Sequence, residues 1–151
     1  MGNSVIEIHA TTVDHSPAIT RLLAFATGGD HQRLRHIIQR YRDDPAAVLL
    51  AAVIEHDTVG VIGYTVGDSA VTLLHVATSP HARNAGVGTR LLGAVRRAVP
   101  AGLPIVAETD QDAVGFYTAN NFAVTSLGEK YPGVERFRVH LRAPANSEPD
   151  A

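Results

Sequence analysis

Two periodicities alternate along this chain and divide it into strands and helices. Apolar and polar residues alternate through Val5-Ile6-Glu7-Ile8-His9-Ala10, the period of a half-buried strand. Ser16-Pro17 then offers a helix N-cap with proline at the first helical position, and Ile19, Leu22, Leu23 and Ala26 follow at helical spacing until Gly28-Gly29. Leu34, Ile37, Ile38 and Tyr41 make a second apolar stripe at i, i+3, i+4 and i+7. The other face of that helix carries Arg33, Arg35, Arg40 and Arg42. It reads as a solvated face or, more sharply, as the rim of a site for an acidic partner or ligand.

Residues 48–55, 59–66 and 70–78 then read as three strands in quick succession. The links His56-Asp57-Thr58 and Gly67-Asp68-Ser69 are too short for anything but antiparallel hairpins. Residues 78–84 read as a loop and 86–98 as a helix, with Val87, Leu91, Leu92 and Val95 on one face. Pro100 and Gly102 end it, and 104–108 is a short buried strand, which requires a parallel, right-handed crossover. A helix over 112–120 with Asp110 as its cap, then strands over 122–127 and 136–141, complete the pattern. Tyr131-Pro132-Gly133-Val134 has proline and glycine placed for a type II turn. The expected fold class is α/β: one domain over 1–142, with a mixed, mostly antiparallel sheet of about six to seven strands and about four helices. The polar segment 143–151, broken by Pro144 and Pro149, is expected to be a disordered tail.

Composition narrows the function. A chain of 151 residues with 45% hydrophobic and 19% charged residues suits one packed domain, not long disorder. Thirteen basic and fifteen acidic side chains give a formal charge of −2, so nucleic acid is not an expected partner. No apolar run approaches a membrane span and no leader pattern opens the chain, so a soluble cytoplasmic protein without a membrane partner is expected. The absence of cysteine excludes disulfides, thiolate metal sites and a cysteine acyl-enzyme. The histidines show no metal-ligand spacing, and no metal site is expected.

The informative segment runs from Val76 through Ala77, Thr78, Ser79-Pro80, Arg83, Asn84, Ala85, Gly86, Val87 and Gly88 to Thr89. It is a strand, a tight loop with two glycines and a helix start. The first helical turn has unpaired N–H groups and the positive end of the dipole, and glycine lets a ligand approach the backbone. Together these make an anion cradle suited to pyrophosphate, with Arg83 able to add a charged contact. The P-loop motif is absent because the only lysine is Lys130. The dinucleotide fingerprint fits Gly86 and Gly88 but finds Leu91 at its third glycine, although Glu108 lies 22 residues after Gly86, near where a ribose-binding acid falls. A small NAD(P)-binding protein is therefore one alternative.

Two motifs at their proper separation resemble the GCN5-related N-acetyltransferase (GNAT) superfamily. Thr78-Ser79-Pro80 followed by Arg83-Asn84-Ala85-Gly86-Val87-Gly88 is similar to its central cofactor motif. Phe116-Tyr117-Thr118-Ala119-Asn120-Asn121-Phe122 is similar to its Phe-Tyr-x-x-x-Gly-Phe motif, with Asn121 in place of glycine where a left-handed residue is wanted. The order of elements agrees from about residue 5 to 141. The resemblance implies acetyl-CoA as cofactor, coenzyme A as product, and acetyl transfer by direct attack of a primary amine on a small molecule or peptide. It implies splayed central parallel strands, with main-chain groups of Val76 and Thr78 pairing the pantetheine arm. It further implies that the amides of 84–89 hold the pyrophosphate, that Asn120 reaches the cofactor and that Tyr117 is the general acid.

The residues leave other readings open. Tyr117 can instead be one half of a packed Phe-Tyr pair. His75 is a candidate general base or a core histidine bonded to backbone. Glu108 is a base acting through water or a solvated strand end. Asp110 and Asp112 cap and polarise a helix, or favour a cationic amine if they face the acceptor. A non-catalytic acyl-CoA-binding sensor is the main alternative function. Specificity is expected in the arginine face of 33–42 and the loop 129–135, and a homodimer is an expectation because edge strands need cover.

Overall fold

The computed structural model describes residues 5–142; residues 1–4 and the segment 143–151, read above as a tail, lie outside the described residues. The elements are β1 (Glu7–Thr11), α1 (Pro17–Phe25), α2 (His31–Asp43), β2 (Val48–Ile54), β3 (Asp57–Val66), β4 (Val71–Thr78), α3 (Val87–Ala98), β5 (Ile105–Asp110), α4 (Gln111–Ala119), β6 (Ala123–Tyr131) and β7 (Val134–Leu141). The strands form a mixed sheet in the order β1-β2-β3-β4-β5-β7-β6. The expected α/β class and antiparallel majority are what forms, and the doubly wound sheet that a dinucleotide site needs is not. Contacts divide the chain into two compact units. One comprises the chain up to Thr65 with Leu73–Ala98; the other comprises Val66–Thr72 with the chain from Val99 onward.

In the first unit β1 pairs antiparallel with β2 from Glu7↔Val53 to Thr11↔Leu49, and β2 pairs antiparallel with β3. The β2–β3 link is shorter than expected, only Glu55-His56, with φ of 49° and 73°. Positive φ at both central residues gives the turn the twist that a two-residue hairpin needs. Ile19, Leu22, Leu23, Leu49, Ala51, Val61 and Ala77 are buried together, and Leu34, Ile37, Ile38 and Tyr41 of α2 pack against them. Each fully buried Leu or Ile contributes about 1.5–3 kcal/mol of burial free energy.

Two glycines of β3 set how near the helices come. A Cβ on Gly60 would lie 2.6 Å from Val87 Cγ1 and 3.2 Å from Leu91 Cδ1 of α3. A Cβ on Gly63 would run into the hydroxyl and ring of Tyr41 on α2. Residues 60 and 63 point to opposite faces of a pleated strand, so α2 and α3 cover opposite faces of this part of the sheet.

The helix ends differ in detail from the pattern. Ser16 has N-cap backbone geometry, but its side chain makes no capping bond, and its Oγ is buried without a partner. Pro17 at the first helical position supplies the start instead. α1 stops at Phe25, short of the glycine pair, where Thr27 Oγ1 donates to the Ala24 carbonyl at 2.8 Å. α2 begins at Asp30, whose carboxylate accepts from the N–H groups of Gln32 and Arg33 at 3.0 and 3.1 Å.

In the second unit Val71↔Ile105 and Thr72↔Val106 pair in parallel, the expected crossover product. β5 pairs antiparallel with β7 from Ile105↔Leu141 to Asp110↔Arg136, and β6 pairs antiparallel with β7. Ile105, Ala107 and Thr109 are buried, whereas Glu108 and Asp110 on the other face are exposed. β6 runs to Tyr131 rather than ending at 127, helped by a register shift at Gly128, where φ is 79°. The segment 129–135 is therefore no loop. It is strand, turn and strand, turning at Pro132-Gly133 with Gly133 at φ 78° as a type II turn requires. Among the described residues no helix is long and apolar enough to cross a membrane.

The close approach at Gly63 gives a stability prediction. Gly63→Ala is expected to cost about 2 kcal/mol in urea unfolding, because the methyl must displace Tyr41. The double variant with Tyr41→Phe should lose less than the sum of the two single losses, since the hydroxyl is one of the displaced atoms. Additive losses would show that the two residues are not coupled.

Candidate functional site

β4 ends at Thr78, and the chain turns through a single 3-10 turn at Pro80–Ala82 where a plain loop was expected. Ser79 N–H donates to the Val59 carbonyl at 2.8 Å, which ties this exit to β3. The chain then passes Arg83, Asn84 at φ 68° and Gly86 at φ 80° before α3 begins. Alternation between ordinary and left-handed backbone turns successive N–H groups toward one side, the geometry of an anion nest. Nothing lies within 4 Å of where a Gly86 Cβ would be, so the backbone there is open to a ligand. At the helix start the Arg90 N–H donates to the Gly86 carbonyl at 3.0 Å. The N–H groups of Val87, Gly88 and Thr89 precede it and have no partner within the helix. Arg83, Asn84, Ala85 and Thr89 are exposed and Gly88 is half-buried, while Val87 anchors the turn in the core. The structure thus gathers Val76, Ala77, Thr78 and residues 83–89 at the end of β4. One contact had no sequence signal: the Arg83 guanidinium lies 5.8 Å from the ring centre of Phe25, itself half exposed.

His75, beside Val76 on β4, is half-buried. Its partner is not the backbone, as a core histidine was expected to have, but Tyr41 of α2. The Tyr41 hydroxyl and His75 Nδ1 hydrogen bond at 2.8 Å, with ring centres 5.7 Å apart. Burial, then the positive charges of Arg40 and Arg33, lower the His75 pKa to about 4. Burial raises that of Tyr41 well above the ordinary phenol value. Both are therefore neutral near pH 7. Helical spacing placed Tyr41 on the packed face of α2, but no local pattern revealed a partner 34 residues away.

The arginine face is uneven. Arg42 forms a two-point pair with Asp14, Nη2 to Oδ1 at 2.6 Å and Nε to Oδ2 at 3.2 Å. Arg40 Nε lies 3.7 Å from an Asp44 oxygen. Among the described residues the Arg33 and Arg35 side chains have no carboxylate partner.

In the second unit Glu108 is exposed on β5, directly across from Arg138 of β7. With Thr72, Val106, Ala107 and Arg138 it lines a cavity of about 250 Å³. Asp110 caps α4 as expected, accepting from Ala113 N–H at 3.2 Å. Tyr117 is buried between Phe116 and Phe122, each ring centre 5.1 Å away and edge-on. Burial, then the Asp110 carboxylate, push its pKa up to about 12. The ring therefore packs and its hydroxyl keeps its proton, so the two readings of this residue are compatible. Asn120 Nδ2 donates to the Phe116 carbonyl at 2.9 Å, holding the helix end. Asn121 is left-handed at φ 71°, the conformation expected where asparagine replaces glycine.

The His75 shift carries a pH prediction. The folded group titrates near 4 and the unfolded one near 6.5. Between those values the unfolded chain binds more protons, so stability falls as pH drops from 6.5 to 4. The wild type is expected to lose about 2 kcal/mol more than His75→Gln across that window in urea titrations. Parallel losses would show that His75 is not the group responsible.

A family model described as an acetyltransferase (GNAT) domain matches residues 45–124, more than half of the chain. Solved structures share the fold at low identity. An aminoglycoside 6'-N-acetyltransferase complexed with coenzyme A aligns with a TM-score of 0.75 at 16% identity, covering 95% of this chain and 99% of that one. The ribosomal-protein-S18-alanine N-acetyltransferase of Escherichia coli aligns at 0.73 and 15%, covering 97% and 99%. A GNAT family acetyltransferase from Elizabethkingia anophelis with acetyl-CoA bound aligns at 0.68 and 17%, covering 91% and 97%. A search of curated protein sequences found no match.

Proposed function

The chain belongs to the GNAT acetyltransferase family, and from that premise we propose that it moves the acetyl group of acetyl-CoA to a primary amine by direct attack. The observation that carries this reading is the open nest at 83–89, with left-handed Asn84 and Gly86 and the first amides of α3. Those donors suit a pyrophosphate, and Arg83 adds charge at its edge. Solved neighbours that hold coenzyme A or acetyl-CoA support the choice of cofactor. Val76 and Thr78 offer main-chain groups to the pantetheine arm as an added strand would.

Chemistry follows from the proton inventory. The amine nitrogen, once neutral, attacks the thioester carbonyl carbon and forms a C–N bond. The carbonyl oxygen becomes an oxyanion, which the Val76 N–H is placed in sequence to stabilise. The C–S bond then breaks, and Tyr117 gives its proton to the leaving thiolate. A hydroxyl held protonated up to about pH 12 is loaded for that role at neutral pH. The amine's proton leaves to Glu108 through water. His75, the other candidate base, already spends Nδ1 on the Tyr41 hydroxyl. Asn120 supports the cofactor site by holding the end of α4, with its Oδ1 as the atom offered to a ligand.

Tyr117→Phe removes the hydroxyl and keeps the ring packing. Release of coenzyme A thiol from acetyl-CoA across a panel of primary amines should fall about 10- to 100-fold in kcat, with cofactor affinity unchanged. Equal turnover by the variant at every pH would remove Tyr117 from the mechanism. Tight cofactor binding with no thiol release in the wild type would favour the sensor alternative.

A further inference from the structure

Resting on the transferase reading above, we propose that the acceptor amine carries an oxyanion group, a carboxylate or a phosphate, bound by Arg33 and Arg40 of α2 together with the outer N–H of His75. Arg33 and Arg40 stand seven residues apart on one helix, so they lie on the same side about 10 Å apart along its axis. They border the apolar stripe that seats α2 on the sheet, and Tyr41, next to Arg40, reaches across to His75 at 2.8 Å. Helical spacing sets both on the flank of α2 beside Tyr41, the residue that reaches His75, and their positive charges contribute to the lowered His75 pKa. The other arginines are different. Arg42 is held by a two-point pair with Asp14, whereas Arg40 has a single 3.7 Å contact with Asp44, and Arg35 is two positions from Arg33, on another face.

The hydrogen bonding of His75 completes the argument. Tyr41 is held protonated, and where its hydroxyl donates to Nδ1 the ring proton stands on Nε2. His75 then offers an uncharged N–H beside two cations. The carboxylates of this helix are otherwise engaged. Asp30 accepts the main-chain N–H groups of 32 and 33, Asp43 accepts from Gln39, and Asp44 lies beside Arg40. A ligand ammonium would meet net positive charge here, while a carboxylate or phosphate would meet two guanidinium groups and a neutral donor. His75 adjoins Val76, whose main chain is the proposed oxyanion donor, so the anion and the reacting amine would belong to one small molecule.

The test uses amines of one length that differ only at the far end: 4-aminobutyrate, butylamine and 1,4-diaminobutane. Thiol release is measured with saturating acetyl-CoA, and O-phosphoethanolamine against ethanolamine separates phosphate from carboxylate preference. We expect kcat/KM to fall at least tenfold from 4-aminobutyrate to butylamine and further to diaminobutane. The Arg33→Gln/Arg40→Gln variant should abolish that order. In parallel, 4-aminobutyrate should shift the His75 ring signals in NMR spectra of the coenzyme A complex, and butylamine should not. A preference for diaminobutane, an order unchanged in the variant, or unmoved His75 signals overturns the inference and leaves the transferase reading standing. Failure to bind acetyl-CoA would instead sink the transferase reading itself.

Discussion

Everything in the first unit depends on how closely two helices approach one strand. At Gly60 the missing side chain lets Val87 and Leu91 of α3 rest on β3; at Gly63 it lets the Tyr41 hydroxyl of α2 do the same on the other face. The first approach fixes the start of α3 and, with the Ser79–Val59 hydrogen bond, the loop from which its amides project. The second delivers a phenol to His75. One strand thus positions both the nest at the start of α3 and the Tyr41–His75 pair on β4. A methyl group at either position would press on these side chains and shift the helices that carry them.

Much of this was legible in the chain because it is local. The periodic stripes Leu34-Ile37-Ile38-Tyr41 and Val87-Leu91-Leu92-Val95 predict α2 and α3. Asp110 and Asn121 carry their cap and left-handed roles in their side-chain chemistry alone. The Arg-x-x-Gly-x-Gly spacing marks the nest because glycine at φ 80° has few substitutes. What was not legible is long-range. Gly63 looks like any strand glycine until Tyr41 arrives above it. His75 looks like an ordinary histidine until burial and two arginines of α2 lower its affinity for a proton.

Local rules also failed where packing overrode them. Ser16-Pro17 has the letters of a capped start, yet the serine oxygen is buried and unbonded. β6 continues past Leu127 because a shift of register at Gly128 keeps it paired with β7, so a stretch with turn composition became hairpin. Tyr117 of the second unit shows the opposite case: its edge-on packing between Phe116 and Phe122 is the local reading, and the same burial keeps the proton on its oxygen.

The central claim is that the nest at the start of α3 receives the pyrophosphate of acetyl-CoA. Calorimetric titration of the purified protein with acetyl-CoA, using NADH as the control ligand, tests it most directly. The account predicts saturable one-to-one binding of acetyl-CoA and no heat from NADH. No acetyl-CoA binding, or equal binding of both, would contradict it.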